Sequence, residues 1–134
     1  MERSMTVVLD TCALIWWSLD PDLLSLPAKT LCDQMEFQKN GLVASISLWE
    51  IALKVKKGKL DLGVDMNTYV ETLQRSEVIQ IVPIDTSLWV DSVNLDWEHR
   101  DPADRVVVAL AQKYQAKLIT KDNVIRDFYD LTVW

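Results

Sequence analysis

Apolar residues in this chain alternate between two spacings. "MTVVL" (Met5–Leu9) is a short, β-branched apolar run cut off by Asp10, which is the pattern of a buried strand. "LVAS" (Leu42–Ser45), "VIQIVPI" (Val78–Ile84), "AKLIT" (Ala116–Thr120) and "LTVW" (Leu131–Trp134) read the same way. Between these runs, apolar positions recur every three or four residues, as on one face of a helix. "TCALIWWSL" follows the first strand. A second helix opens at Ser25 and Pro27 and stops at Gly41. "SLWEIALKVKKG" predicts a helix opened by Ser47 and closed near Gly58. Helices are also predicted over Asp65–Glu77, over "DTSLWVDSVNL" with its cap at Asp85 or Thr86, and over Pro102–Tyr114. Strands that alternate with helices imply a parallel sheet covered by helices on both faces.

The 134 residues suffice for a single domain with a real core, and no repeat, low-complexity run or linker divides them. Three glycines and four prolines leave little room for disorder. A net charge of −6 argues against a protein that coats nucleic acid through a broad basic surface, so any such contact is local. Cys12 and Cys32 show neither a C-x-x-C pattern nor the density of a secreted scaffold. They read as reduced thiols of a cytoplasmic protein. Glu2 and Arg3 precede an apolar run too short for a signal peptide or a membrane span.

Ligands of open parallel sheets sit beyond the carboxyl ends of the strands. Four acids fall near such ends: Asp10, Glu50, Asp104 and Asp122. Each has a local explanation. Asp10 can cap the next helix, Ser47-Leu48-Trp49-Glu50 has the spacing of a capping box, Asp101-Pro102-Ala103-Asp104 starts a helix, and Asp122 suits a turn before "NVIRDF". Together they are harder to explain. Two charges 4 Å apart repel by about 4 kcal/mol at an effective dielectric of 20. A hard cation with oxygen ligands, Mg²⁺ or Mn²⁺, relieves that repulsion. The positive end of a helix favours an ionised acid as well, so capping and metal binding are compatible for Glu50 and Asp104.

"TVVLDTCALIWW", "SLWEIALKVKKGKL", "HRDPADRVVVALA" and "LITKD", in this order and spacing, resemble the PIN-domain ribonucleases, closely the VapC-like toxins of type II toxin–antitoxin pairs. The resemblance spans nearly the whole chain and implies a small α/β/α sandwich, usually dimeric. It carries the family's acidic constellation to Asp10, Glu50, Asp104 and, more variably, Asp122. The implied activity is Mg²⁺-dependent cleavage of cellular RNA, blocked by an antitoxin and leaving 5′-phosphate and 3′-hydroxyl ends. Asp10 and Asp104 would hold the cation most directly, with Glu50 and Asp122 acting partly through water. Ala103 and Cys12 depart from similar sequences, which often place a larger aromatic residue and a histidine there.

Other residues are candidates beside these acids. Thr11 and Thr120 offer hydroxyls that orient carboxylates or waters, or serve as turn and cap residues. Arg105, in a first helical turn, opposes the dipole and so wants an anion, either an acid neighbour or a substrate phosphate. His99 and Arg100 are candidates for substrate contact, His99 also for a general base, against solvated loop positions. Lys54 is a candidate for the RNA backbone, whereas Lys56, Lys57 and Lys59 suit a basic helix end. Of the adjacent Trp16 and Trp17, one belongs in the core and the other at a dimer or antitoxin interface. Rival functions fit less well. A receiver wants paired acids after the first strand, a D-x-D phosphatase fails at Cys12, and no G-x-G-x-x-G or P-loop is present. A catalytically silent binding or scaffold module is the remaining alternative, and loss of an acid would have been its sign.

Overall fold

The computed structural model describes residues 5–134, so Glu2 and Arg3 lie outside it. Five strands form one sheet: β1 (Val7–Leu9), β2 (Gly41–Ala44), β3 (Ile79–Val82), β4 (Lys117–Ile119) and β5 (Thr132–Val133). Their order is β3-β2-β1-β4-β5, and every neighbouring pair is parallel. The chain starts in the centre, builds outward through β2 and β3, then returns to the other side of β1. The order therefore reverses between β1 and β4, where Val8 is level with Leu118 and Leu9 with Ile119. That reversal is where a parallel sheet opens a crevice.

Successive strand residues point to opposite faces. Val7 and Leu9 enter one apolar cluster with Leu14, Met35 and Ile51, while Val8 enters another with Val106, Leu110 and Ile125. Helices α1 (Thr11–Leu19), α2 (Leu26–Gln38), α3 (Ser45–Lys56) and α4 (Met66–Arg75) contribute to the first cluster. Helices α5 (Thr86–Val93), α6 (Pro102–Tyr114) and α7 (Asn123–Phe128) contribute to the second. The result is the three-layer α/β/α sandwich that the sequence implied. Among the described residues, no helix is long and apolar enough to cross a membrane.

Most predicted punctuation is used. Ser25, Asp65 and Asp85 each accept a hydrogen bond from the backbone N–H three residues on. Asp101 caps α6 through the Asp104 N–H at 2.9 Å, with Pro102 in the first helical position. Behind that start, Val106 to Ala111 are all buried, which explains the apolar run in the sequence. A 3₁₀ turn at Pro21–Leu23 and helix α7 were not expected; Asp122, read as a turn residue, is the N-cap of α7.

The capping box at Ser47 is not formed. β2 passes directly into α3, whose N-cap is Ala44 and has no side-chain cap bond. Ser47 is instead fully buried on the helix, its Oγ 3.0 Å from Thr11 Oγ1. Glu50 is thus the sixth residue of α3, beyond the first turn, and the helix dipole does little to hold its charge.

Arg105 also departs from expectation. Among the described residues it makes no ion pair. Its Nε donates to Ser92 O, Nη1 to Trp97 O and His99 O, and Nη2 to Val93 O and Leu95 O. A guanidinium has five N–H donors, and all five are spent on carbonyls at the end of α5 and in the segment after it. Nothing remains to donate to a substrate phosphate. The anion that Arg105 wanted is a ring of carbonyl dipoles, supplied where α5 runs out of intrahelical partners. Arg105→Ala is expected to cost about 2–4 kcal/mol in urea unfolding, because it strands several half-buried carbonyls at once. Arg105→Lys, which lacks the planar fork, should recover less than half of that. A loss under about 0.5 kcal/mol for Arg105→Ala would show that the segment is held by other means.

Candidate metal centre

Asp10 leaves the carboxyl end of β1 and caps α1. Its Oδ1 accepts the Ala13 N–H at 2.8 Å, and its Oδ2 accepts the Thr120 hydroxyl at 2.5 Å. Thr120, at the end of β4, is fully buried and its Oγ1 also accepts the Asp122 N–H at 3.1 Å. One hydroxyl therefore ties the acid of β1 to the backbone beneath the acid of α7, across the point where strand order reverses. Asp10 is only 7% exposed. Its pKa is raised to about 6, chiefly by burial; the bonds from Thr120 and Ala13 oppose the rise, and the charges of Asp104 and Asp122 add to it.

Asp104 sits in the first turn of α6. Its pKa is also raised, first by burial, with the His99 bond opposing and Asp101 and Asp122 adding to the rise. His99 Nε2 lies 2.7 Å from Asp104 Oδ2. The imidazole is held from behind as well: its ring is 4.8 Å from that of Trp97, which stacks on Phe128 at 4.6 Å and 11°. His99 is therefore not a freely solvated loop residue; it is a partner of Asp104. Arg100 is exposed and does not line the acidic cleft.

Glu50 reaches the same cleft from α3, where its Oε1 accepts the Thr11 hydroxyl at 2.5 Å. Asp122 uses one oxygen, Oδ1, to cap α7 through the Val124 and Ile125 N–H groups, at 2.8 and 3.3 Å. Its other oxygen is spared. The four acids line one cleft of about 300 Å³, whose wall also carries Lys54, Lys121 and Trp16. Lys54, the candidate for the RNA backbone, lines this cleft, while Lys56, Lys57 and Lys59 do not. Lys121 was missed, although its place between the end of β4 and Asp122 was a usable signal. Trp16 was read as a core or interface residue; it is half-buried and faces the cleft. Trp17, also half-buried, donates its indole N–H to Glu36 at 3.0 Å. Cys12 and Cys32 are both free thiols, and burial pushes the Cys32 thiol up to about 12.

The four carboxylates offer the hard oxygen donors that suit a hard cation, and at Asp10 and Asp104 burial and neighbouring charges penalise the ionised form. Among the described residues, no three His, Cys, Asp or Glu side chains are gathered closely enough to hold a metal ion directly.

A PIN-domain family model matches residues 7–131. Ribonuclease VapC22 of Mycobacterium tuberculosis is 31% identical over 133 residues, covering 96% of this chain and 98% of that protein. Among solved structures, a chain from a toxin-antitoxin complex of Klebsiella pneumoniae superimposes with a TM-score of 0.66 at 19% identity, covering 96% of this chain and 97% of its own. FitAcB from Neisseria gonorrhoeae gives 0.63 at 18% identity, covering 95% of each chain. At those identities the structural likeness speaks for the fold alone; the family model and the long, closely matched relative go further. The chain belongs to the PIN-domain family, in its VapC-like group.

Proposed function

We propose that this protein is a metal-dependent endoribonuclease that acts as the toxin of a toxin–antitoxin pair. The observation that carries the reading is the convergence of Asp10, Glu50, Asp104 and Asp122 on one cleft at the sheet's reversal point. The kinship with a protein named as a ribonuclease supports the activity. A structural neighbour described as a toxin-antitoxin complex supports the partner. Presence of all four acids weighs against a silent scaffold. The reading includes self-association, and α3 and α5 expose Trp49, Trp89, Val90 and Val93, apolar surface of the kind interfaces cover.

Asp10 and Asp104 would hold Mg²⁺ or Mn²⁺ most directly, with Glu50 and Asp122 acting partly through water. When bound, the ion lowers the pKa of a water and stabilises charge on the phosphate. The chain's own part is to hold the acids still. Thr120 and the Ala13 N–H fix both oxygens of Asp10, His99 fixes one oxygen of Asp104, and Thr11 fixes Glu50. Lys54 and Lys121 supply local positive charge for the RNA backbone in a protein that is acidic as a whole. Hydrolysis of this kind leaves 5′-phosphate and 3′-hydroxyl ends.

Purified protein should cut single-stranded RNA in millimolar Mg²⁺ and stop in EDTA, and Asp10→Asn and Asp104→Asn should each abolish cutting. Activity that outlasts both chelation and these substitutions, or a 2′,3′-cyclic phosphate product, sinks the mechanism. His99→Leu and Thr120→Val should each slow cleavage about 10–100-fold and weaken Mn²⁺ binding measured by calorimetry, since each releases a carboxylate from its support. Normal Mn²⁺ affinity in both variants would remove them from the site.

Asp10 also links the site to stability. Its folded pKa, about 6, lies above the ordinary 3.8, so the native state binds the extra proton between these values. The resulting stabilisation is complete below the ordinary value and is lost as pH rises through about 6. Asp10→Asn should therefore unfold at higher urea than wild type at pH 7, by on the order of 2 kcal/mol, with the gap closing toward pH 4. A gap that stays constant across this range would show that the charge on Asp10 is not what strains the fold.

A further inference from the structure

We infer that Trp16 is a stacking platform for an unpaired nucleobase next to the scissile phosphate. The inference rests on the ribonuclease reading and adds to it the means by which substrate is held. The cleft poses an electrostatic problem. It holds four carboxylates in a chain of net charge −6, so general attraction to phosphate cannot supply the affinity. Something short-ranged and indifferent to charge is needed, and base stacking on an aromatic face meets that need.

Trp16 is placed for it. It lines the same cleft as Asp10, Glu50, Asp104 and Asp122. Its ring is backed by Trp134, with centroids 5.5 Å apart and planes at 52°, so the platform is braced from one side. The exposed Lys121 puts its ammonium 5.7 Å from the ring centroid. A solvated side chain can reach the ring only if part of the ring face is open, so the core does not cover all of it. Lys121 is long and solvent-exposed, free to leave the ring for a phosphate as a base takes its place. Trp17, one residue on, has its indole N–H engaged with Glu36 and does not line the cleft. A duplex keeps its bases stacked on one another and offers no free face to Trp16.

The test measures affinity apart from chemistry. In an Asp10→Asn background, binding of a short mixed-sequence single-stranded RNA is followed by fluorescence anisotropy for Trp16, Trp16→Phe and Trp16→Leu. Trp16→Leu is expected to weaken binding about tenfold, Trp16→Phe by no more than about threefold, and the same RNA annealed to its complement should bind no better than the leucine variant binds the single strand. Single-strand affinity that is the same in all three proteins, an equal loss in Trp16→Phe and Trp16→Leu, or equally tight duplex binding overturns the platform. Those outcomes are separable from failure of the ribonuclease reading, which would appear as a wild-type protein that does not cut RNA in Mg²⁺.

Discussion

Asp10 is a carboxylate buried at the junction of two neighbouring strands, and the rest of the site is arranged around it. β1 and β4 run in parallel and end side by side, so the residues just past their ends, Asp10 and Thr120, are forced together. Their hydrogen bond at 2.5 Å satisfies part of the acid but cannot offset its burial, and the pKa stays raised. The fold thus holds a charge where charge is disfavoured, next to others of the same sign. That tension is one a cation would relieve, at an acid that also caps α1. Four carboxylates in solution would drift apart; here the sheet and three helices hold them.

Each acid is held by a different local device. Asp10 is fixed by an N-cap bond and a hydroxyl, Asp104 by a histidine, Glu50 by a threonine from the facing helix α1, and Asp122 by the helix it caps. Asp10 and Asp122 use cap geometry directly, and Asp104 stands in a turn capped by Asp101. Capping and metal binding are compatible at these positions, because an N-cap leaves a carboxylate with acceptor capacity to spare.

Behind Asp104 stands a chain of support that runs through its own layer, from the end of α5 to α7. Arg105 gathers the carbonyls of the segment after α5, including those of Trp97 and His99. Trp97 stacks on Phe128 of α7, and His99 meets the acid. Adjacent residues of the "DPADR" turn therefore divide the work. Asp104 faces the cleft while Arg105 fastens the loop whose histidine steadies it. A charged residue opposing the dipole at a helix start is tolerated because its charge is absorbed by carbonyl dipoles.

Much of this was legible in the sequence, and the limit has a physical cause. The apolar spacing determined the five strands, the parallel sheet, and the buried α6, since periodicity reports directly which faces avoid water. Asp10, Asp104, Asp122 and both threonines could be named because each stands within a turn of a strand or helix end, whereas Glu50 lies deeper in α3 than its apparent capping box suggested. Three features could not be read. Ser47 looks like a cap in sequence, yet β2 enters α3 without a loop and turns Ser47 into a buried neighbour of Thr11. Arg105 looked for an anion and found five carbonyls, two of them from Ser92 and Val93, which a one-dimensional pattern has no means of placing beside it. Trp16 and Lys121 are 105 positions apart and meet only because β1 and β4 are adjacent. What the sequence determined by itself was chemistry at the ends of elements, where hydrogen-bonding demand is local. Which side chains share one cleft was decided by the tertiary structure alone, because strand order is set by packing between segments far apart in the chain.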